Sequence, residues 1–444
     1  MAAILQDQQV SIKSNFRSLF DVYESNLNGH RHHPIHALRR KAIEALEALP
    51  FPTRRDEDWK YTSVTRMLDP VYREGTPVSL AGSQVDAFSI QNLQANRLVF
   101  INGVFNAEHS NLEGLPDGVV VKPISEALQI EAFRAIIEEN LTTQSNNISG
   151  AFLALNTAFA KNGYFIYVPK NTVVEQPIHL SYIAVPDEQP FFCHPQLIVV
   201  ADRNSQLSLL ESYNTLEGTG VYFTNAVSRF ILKENAIVYH YKLQNEGREA
   251  FQVNNTFVEQ DRNSNFSSFA VDLGGQIVRN NLSAVHKGQN LETHFYGAYL
   301  GTGNQHIDNQ TFIDHALPHC QSNELYKGVL ADKARGVFNG KVIVRPDAQK
   351  TNAYQQNSSL VLSPTAVMDA KPQLEIFADD VRCSHGATIG QLDEDSVFYL
   401  RSRGLNNEQA RALLKHAFLK EVLDNMPSDA IRSAFDELVM KKLG

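Results

Sequence analysis

The chain has 444 residues, 43% hydrophobic and 20% charged, with a formal net charge of −9. That length exceeds one compact core of ordinary size, so two or three folded units, or one elongated unit with end pieces, are expected. No apolar run approaches the ~20 residues that a bilayer-spanning helix needs, and an acidic chain without a dense Lys/Arg run lacks the basic face that binds nucleic acid.

The first residues, Met1 to Gln9, show neither the basic head and apolar stretch of a secretory signal nor the Arg-rich character of a transit peptide. A cytoplasmic chain, or a plastid protein already trimmed, is the expectation. Three cysteines cannot form a disulfide framework, which fits a reducing compartment and leaves each thiol available as a ligand or nucleophile.

In chain order, residues 1–163 read as mainly helical. Phe16, Leu19, Phe20 and Tyr23 make one apolar stripe at helical spacing. Ile35, Leu38, Ile43, Leu46 and Leu49 make another, opened by Pro34 and closed by Pro50 and Pro52. A third helix is expected through Leu128, Phe133, Ile136, Ile137 and Leu141, with strands at Arg97 to Phe105 and Val119 to Val121.

Residues 164–392 change to short β-branched and aromatic runs, such as Tyr164 to Val168, Leu197 to Val200 and Lys341 to Val344. Turns recur between them: Asp202-Arg203-Asn204-Ser205 returns as Asp261-Arg262-Asn263-Ser264, with related turns at Lys233-Glu234-Asn235 and Lys287-Gly288-Gln289-Asn290. An all-β array with a repeat of this size and no helices between strands predicts a solenoid in which each coil covers the next. A β-helix fits better than a propeller, whose blades are usually longer, or a sandwich, which would not need so long a stretch. In residues 393–444 the helical period returns after Gly404, through Ala410, Leu413, Leu414, Ala417, Phe418 and Val422, then Ile431, Phe435, Leu438 and Val439. These helices are expected either to cap the solenoid or to dock a partner.

No catalytic motif stands out. Gly336-Val-Phe-Asn-Gly340-Lys341-Val342 is one residue short of a phosphate loop between its glycines and has Val where a metal-binding Ser or Thr belongs, so it reads as a turn between strands. The cysteines are more suggestive, because each has a histidine within two positions: Cys193-His194, His319-Cys320 and Cys383-Ser384-His385. Thiolate and imidazole suit iron, zinc and copper. Adjacent strand residues point to opposite faces, so the first two pairs read as core cysteines, whereas Cys383 and His385 can face the same way. His306, Asp308, Asp314, His315 and His319 read as turn residues and satisfied histidines, and Asp379-Asp380 and Asp393-Glu394-Asp395 as turn and helix-start acids.

The block from Pro372 to Thr388, continued by Val397-Phe-Tyr-Leu-Arg-Ser-Arg-Gly404, resembles the signature of the SufD family. Asp56-Glu-Asp-Trp-Lys-Tyr-Thr62 is similar to that family's N-terminal motif, and His315-Ala-Leu-Pro-His with Tyr326-Lys-Gly-Val to its core. The sister family SufB typically reads Glu-His-Glu-Ala and Phe-Tyr-Cys, where this chain has Cys-Ser-His-Gly-Ala from Cys383 and Phe398-Tyr399-Leu400. The resemblance implies a right-handed parallel β-helix between helical domains, pairing with a SufB-like subunit and carrying a SufC-like ATPase on its C-terminal helices. It further implies that His385, with Cys383 beside it, takes part in holding iron or a nascent iron-sulfur cluster at the subunit interface. ATP hydrolysis would belong to the partner, and Trp59 and Phe398 carry over only as structural positions. A homodimer in isolation and a flavin remain open on these grounds. The competing readings are a carbohydrate-active β-helix enzyme, for which no carboxylate cluster is found, and a purely structural homo-oligomer.

Overall fold

The computed structural model describes residues 2–27, 33–142, 150–216 and 218–443. Its central feature is a parallel β-solenoid whose successive strands alternate between two sheets, of eleven and ten strands. Ile277–His286, His306–His315, Arg335–Val344 and Val367–Ile376 lie in one sheet. Glu292–Gly301, Gln321–Leu330, Asn352–Val361 and Arg382–Gly390 lie in the other. Ile277 sits beside His306 and His306 beside Arg335, so these coils advance by 29 residues, as the recurring turns anticipated. Between Tyr164 and Gly390 no helix occurs among the described residues.

Side chains of the two sheets meet inside the coil. Leu207 and Leu209, then Val238, Phe266 and Phe295, line the interior in successive coils. The residues between them are also buried, because helices cover the outer faces, and this double burial blurs the alternation of polar and apolar positions. Tyr241, Leu243, Phe269 and Val271 point outward yet are covered by Leu419, Val422, Phe435 and Val439 of the C-terminal helices Asn407–Leu423 and Asp429–Leu443.

One corner of the coil is built by repetition of a single residue. Asn171, Asn204, Asn235, Asn263 and Asn290 all have φ between 57° and 60°. That left-handed conformation is costly for most side chains but tolerated by Asn. Each amide also hydrogen-bonds the next: Asn204 donates to Asn171 and Asn235 to Asn204 at 2.7 Å, Asn263 to Asn235 and Asn290 to Asn263 at 3.0 Å. The recurring Asn of the sequence is therefore an amide ladder. His319 and Lys350, at φ 62° and 63°, continue the column in the next two coils.

The N-terminal segment attaches to the flank of the solenoid. Helices Ala2–Ser25, Pro34–Ala48 and Gly150–Phe159 bury Phe16, Ile43 and Phe152 with Phe192, Phe223 and Phe251 of the sheet. The Asp56–Thr62 motif is a clamp: Arg279 lies 3.8 Å from the Trp59 ring centre, donates to the Asp58 carbonyl at 2.8 Å and pairs with Asp308 at 2.6 Å, while Thr62 donates to the same carboxylate. Strands Asn96–Ile101 and Val120–Pro123 join the solenoid sheets directly.

The structure corrects several local expectations. Helix Gly150–Phe159, with eight of its ten residues buried, shows no clear amphipathic period to detect. Leu128 caps a short helix, Ile124–Ala127, that precedes Glu131–Thr142. Helical structure returns before Gly404, in Glu394–Ser402, capped by Asp393. Gly336 to Val342 is mid-strand rather than a turn; a Cβ on Gly340 would lie 2.2 Å from the Gln355 amide. The C-terminal helices Asn407–Leu423 and Asp429–Leu443 lie on the flank of the sheet and do not cap its end.

Candidate functional site

The solenoid stops with both sheets open. Val367–Ile376 ends one and Arg382–Gly390 the other, each paired on one side only. Such edges present unpaired backbone donors and acceptors that a neighbouring strand can continue. Apolar side chains crowd this end: Phe377 is 61% exposed, Ile389 55% and Phe398, on the adjoining helix, 71%, with Tyr354, Ile376 and Tyr399 also exposed.

Cys383 and His385 lie on the last strand, beside Ala353 and Gln355 of the previous coil. Those positions belong to the inward-facing columns, so both side chains point toward the solenoid axis at its open end. Cys383 is half-buried against the core, and burial pushes its thiol upward, opposed by a hydrogen bond from the Ala353 backbone. His385 is exposed because no further coil covers it, and Gly386 beside it has open space where a Cβ would stand.

Behind His385 runs a file of polar groups. The register places His385 beside Gln355 and Gln355 beside Glu324. The Gln355 amide donates to Glu324 at 3.2 Å and Thr311 donates to its other oxygen. Burial raises Glu324 to about 7, partly offset by those two hydrogen bonds. Deeper in, Glu211 accepts from Tyr213 and Ser228 and contacts His240 at 3.0 Å; burial pushes this carboxyl up, but its partners outweigh that and hold it low.

Of the other Cys/His pairs, Cys193 and His194 at the end of strand Phe191–Cys193 point apart, while His319 is a left-handed corner residue outside any strand. The Cys193 sulfur lies 3.5 Å from the Thr224 hydroxyl, and burial raises its thiol to about 12, while His194 stacks against Phe159 and Phe192. Asp308 and Asp314 are held by Arg279 and Arg345. His315 and Cys320, by contrast, turn inward and meet His286, a residue that the sequence reading passed over. One donor atom of each lies within 4.8 Å of the others, and all three residues are buried. No local spacing signals that cluster, because its members come from two coils and a corner.

The fold is a parallel β-solenoid with an open end that bears a thiol and an imidazole. Residues 183–418 match the SufBD core domain of the SUF system for FeS cluster assembly, and residues 10–180 match the SufBD N-terminal region. The chain belongs to the SufBD family of iron-sulfur cluster assembly proteins, and within it to the SufD type. A SufBD family protein of Synechocystis is 35% identical over 90% of this chain and 89% of its own length. The SufD proteins of Escherichia coli and Bacillus subtilis are each 30% identical, over 88% and 91% of this chain and 89% and 93% of theirs. No helix among the described residues is long and apolar enough to cross a membrane.

Proposed function

We propose that the chain is a non-catalytic scaffold subunit whose open solenoid end pairs with a SufB-like subunit, with the nascent iron-sulfur cluster held at that interface. The observation that carries this reading is the coincidence, at one uncapped end of the solenoid, of unpaired strand edges, exposed apolar side chains and the Cys383/His385 pair. A neutral imidazole ligates iron, and a thiolate ligates iron or accepts sulfur. Two donors leave a coordination shell incomplete, so the partner supplies the rest and the isolated chain binds iron weakly at this end. Without that partner, the same edges serve a second copy of the chain.

A SufC-like ATPase docks on the C-terminal region, residues 393–444, where Phe398 and Tyr399 stand exposed; energy from nucleotide enters through that subunit. Residues 1–163 clamp the flank of the 164–392 solenoid. Because helices Asn407–Leu423 and Asp429–Leu443 cover the sheet, docking is tested by Phe398→Asp rather than by deletion, with loss of ATPase binding expected. His385→Ala tests the cluster site. Co-purification with the SufB-like subunit is expected to survive while cluster formation in the reconstituted complex falls; unchanged cluster formation removes the ligand role.

A further inference from the structure

The cluster of His286, His315 and Cys320 lies inside the solenoid, apart from the open end. Val285 pairs with Asp314, so the next position sets His286 beside His315 in neighbouring coils. Their ring centres are 4.4 Å apart, edge to face. Cys320 follows the left-handed corner residue His319 and enters the interior at the start of Gln321–Leu330.

The surrounding hydrogen bonds dictate which nitrogen of His286 carries the proton. The Gln260 amide nitrogen donates to the carbonyls of Ser264 and Glu292, so its oxygen faces Thr293 and can only accept. Thr293 therefore donates its hydroxyl proton to Gln260, at 2.6 Å. His286 Nε2, 2.8 Å from the Thr293 oxygen, must then be the donor in that contact. Nδ1 is left with a bare lone pair, fully buried and without a partner among the described residues. His315 has the corresponding contacts one coil on: its Nε2 lies 2.9 Å from the Ser322 hydroxyl, and its Nδ1 has no partner among the described residues. A buried acceptor with no protein partner takes up a water or an ion, and here two such nitrogens converge on a thiol. The Cys320 sulfur lies 3.6 Å from the Gly288 and Pro318 carbonyls and faces the backbone N–H groups of Leu291 and Asn290, which favour its thiolate.

We propose that His286, His315 and Cys320 form a buried binding site for a divalent first-row transition ion, with two imidazole nitrogens and one thiolate as donors. Histidine ligands are typically oriented by a hydrogen bond from the other ring nitrogen, the part that Thr293 and Ser322 play here. Tetrahedral sites use metal–nitrogen and metal–sulfur distances of ~2.0–2.3 Å, which require donors about 3.5 Å apart. A small contraction of the present cluster meets that requirement. Binding releases the Cys320 thiol proton to solvent, and three protein donors leave a fourth position for water or a small ligand. At the surface of the same corner lies a polar depression lined by Asn290, His319, Gln321, Lys350 and Asp380, two of which flank Cys320 along the chain. Zn²⁺ and Fe²⁺ share this donor chemistry. The site stands whether or not His385 has the role given above.

The test uses the full chain carrying Cys193→Ser and Cys383→Ser, in which Cys320 is the only thiol. Titration of the metal-free protein with Co²⁺ should give one equivalent of tetrahedral cobalt with a thiolate charge-transfer band. Competition by Zn²⁺, and by Fe²⁺ without oxygen, then distinguishes the two ions. Further replacement of Cys320 by Ser should abolish the band, and Thr293→Val should weaken binding by ~10–100-fold. X-ray absorption of the zinc-loaded protein needs no further variant and should show one sulfur at ~2.3 Å. The proposal is overturned by the absence of a thiolate band, by a shell of oxygen and nitrogen alone, or by unchanged affinity in Thr293→Val. A water held between the rings gives the first of these results.

Discussion

Glu324 offers a quantitative check on the polar interior behind His385. Its carboxyl is buried, accepts from Thr311 and Gln355, and titrates near 7 in the folded chain against an ordinary 4.5. A raised folded-state value means that the native protein binds more protons than the unfolded chain between these two limits, so stability is lost as pH rises through that window. The full difference of two to three pH units corresponds to about 3 kcal/mol. Glu324→Gln keeps the shape and removes the charge, and the Gln355 oxygen, which has no partner among the described residues, becomes available to the new amide. Unfolding in urea would be followed by circular dichroism and by fluorescence of Trp59, the only tryptophan. At pH 5 the variant should differ from the parent by less than about 1 kcal/mol, and at pH 8 it should be more stable by up to about 3 kcal/mol. A difference independent of pH, or one that favours the parent at pH 8, would refute the buried, uncompensated carboxyl.

Arg279→Met leaves Asp308 buried without its cation and should cost about 3–5 kcal/mol, with most of the loss restored by adding Asp308→Asn; denaturant midpoints and protease sensitivity near the Asp56–Thr62 clamp report it. Asn263→Ala forces a Cβ-bearing residue without a local hydrogen bond to hold φ 60° and interrupts the amide ladder, so a loss of at least about 1–2 kcal/mol is expected. Asn263→Gly should cost less than Asn263→Ala by the same denaturation assay, since glycine accepts that angle freely. Gly328→Ala would place a Cβ 2.2 Å from the Tyr299 ring, and the overpacking should lower stability by about 1–3 kcal/mol without changing the strand content seen by circular dichroism.

The solenoid was legible because its causes are local. β-Branched runs, the absence of a helical period and the recurrence of Asn at a corner that demands positive φ all act over a few residues, and the chain repeats them. The Cys383/His385 pair was legible for a similar reason, since i, i+2 spacing along one strand brings two side chains to one face. What lay beyond the sequence depends on stacking. Nothing near Cys320 along the chain points to His286, because their meeting follows from coil length and from the way a corner residue turns a thiol beneath the ends of two neighbouring strands. The C-terminal helices present an amphipathic pattern that would suit an end cap or a flank equally well. Tertiary structure decided for the flank, where Tyr241, Phe269 and Val271 offer an apolar face to bury, and that choice left the last strand and its histidine uncovered.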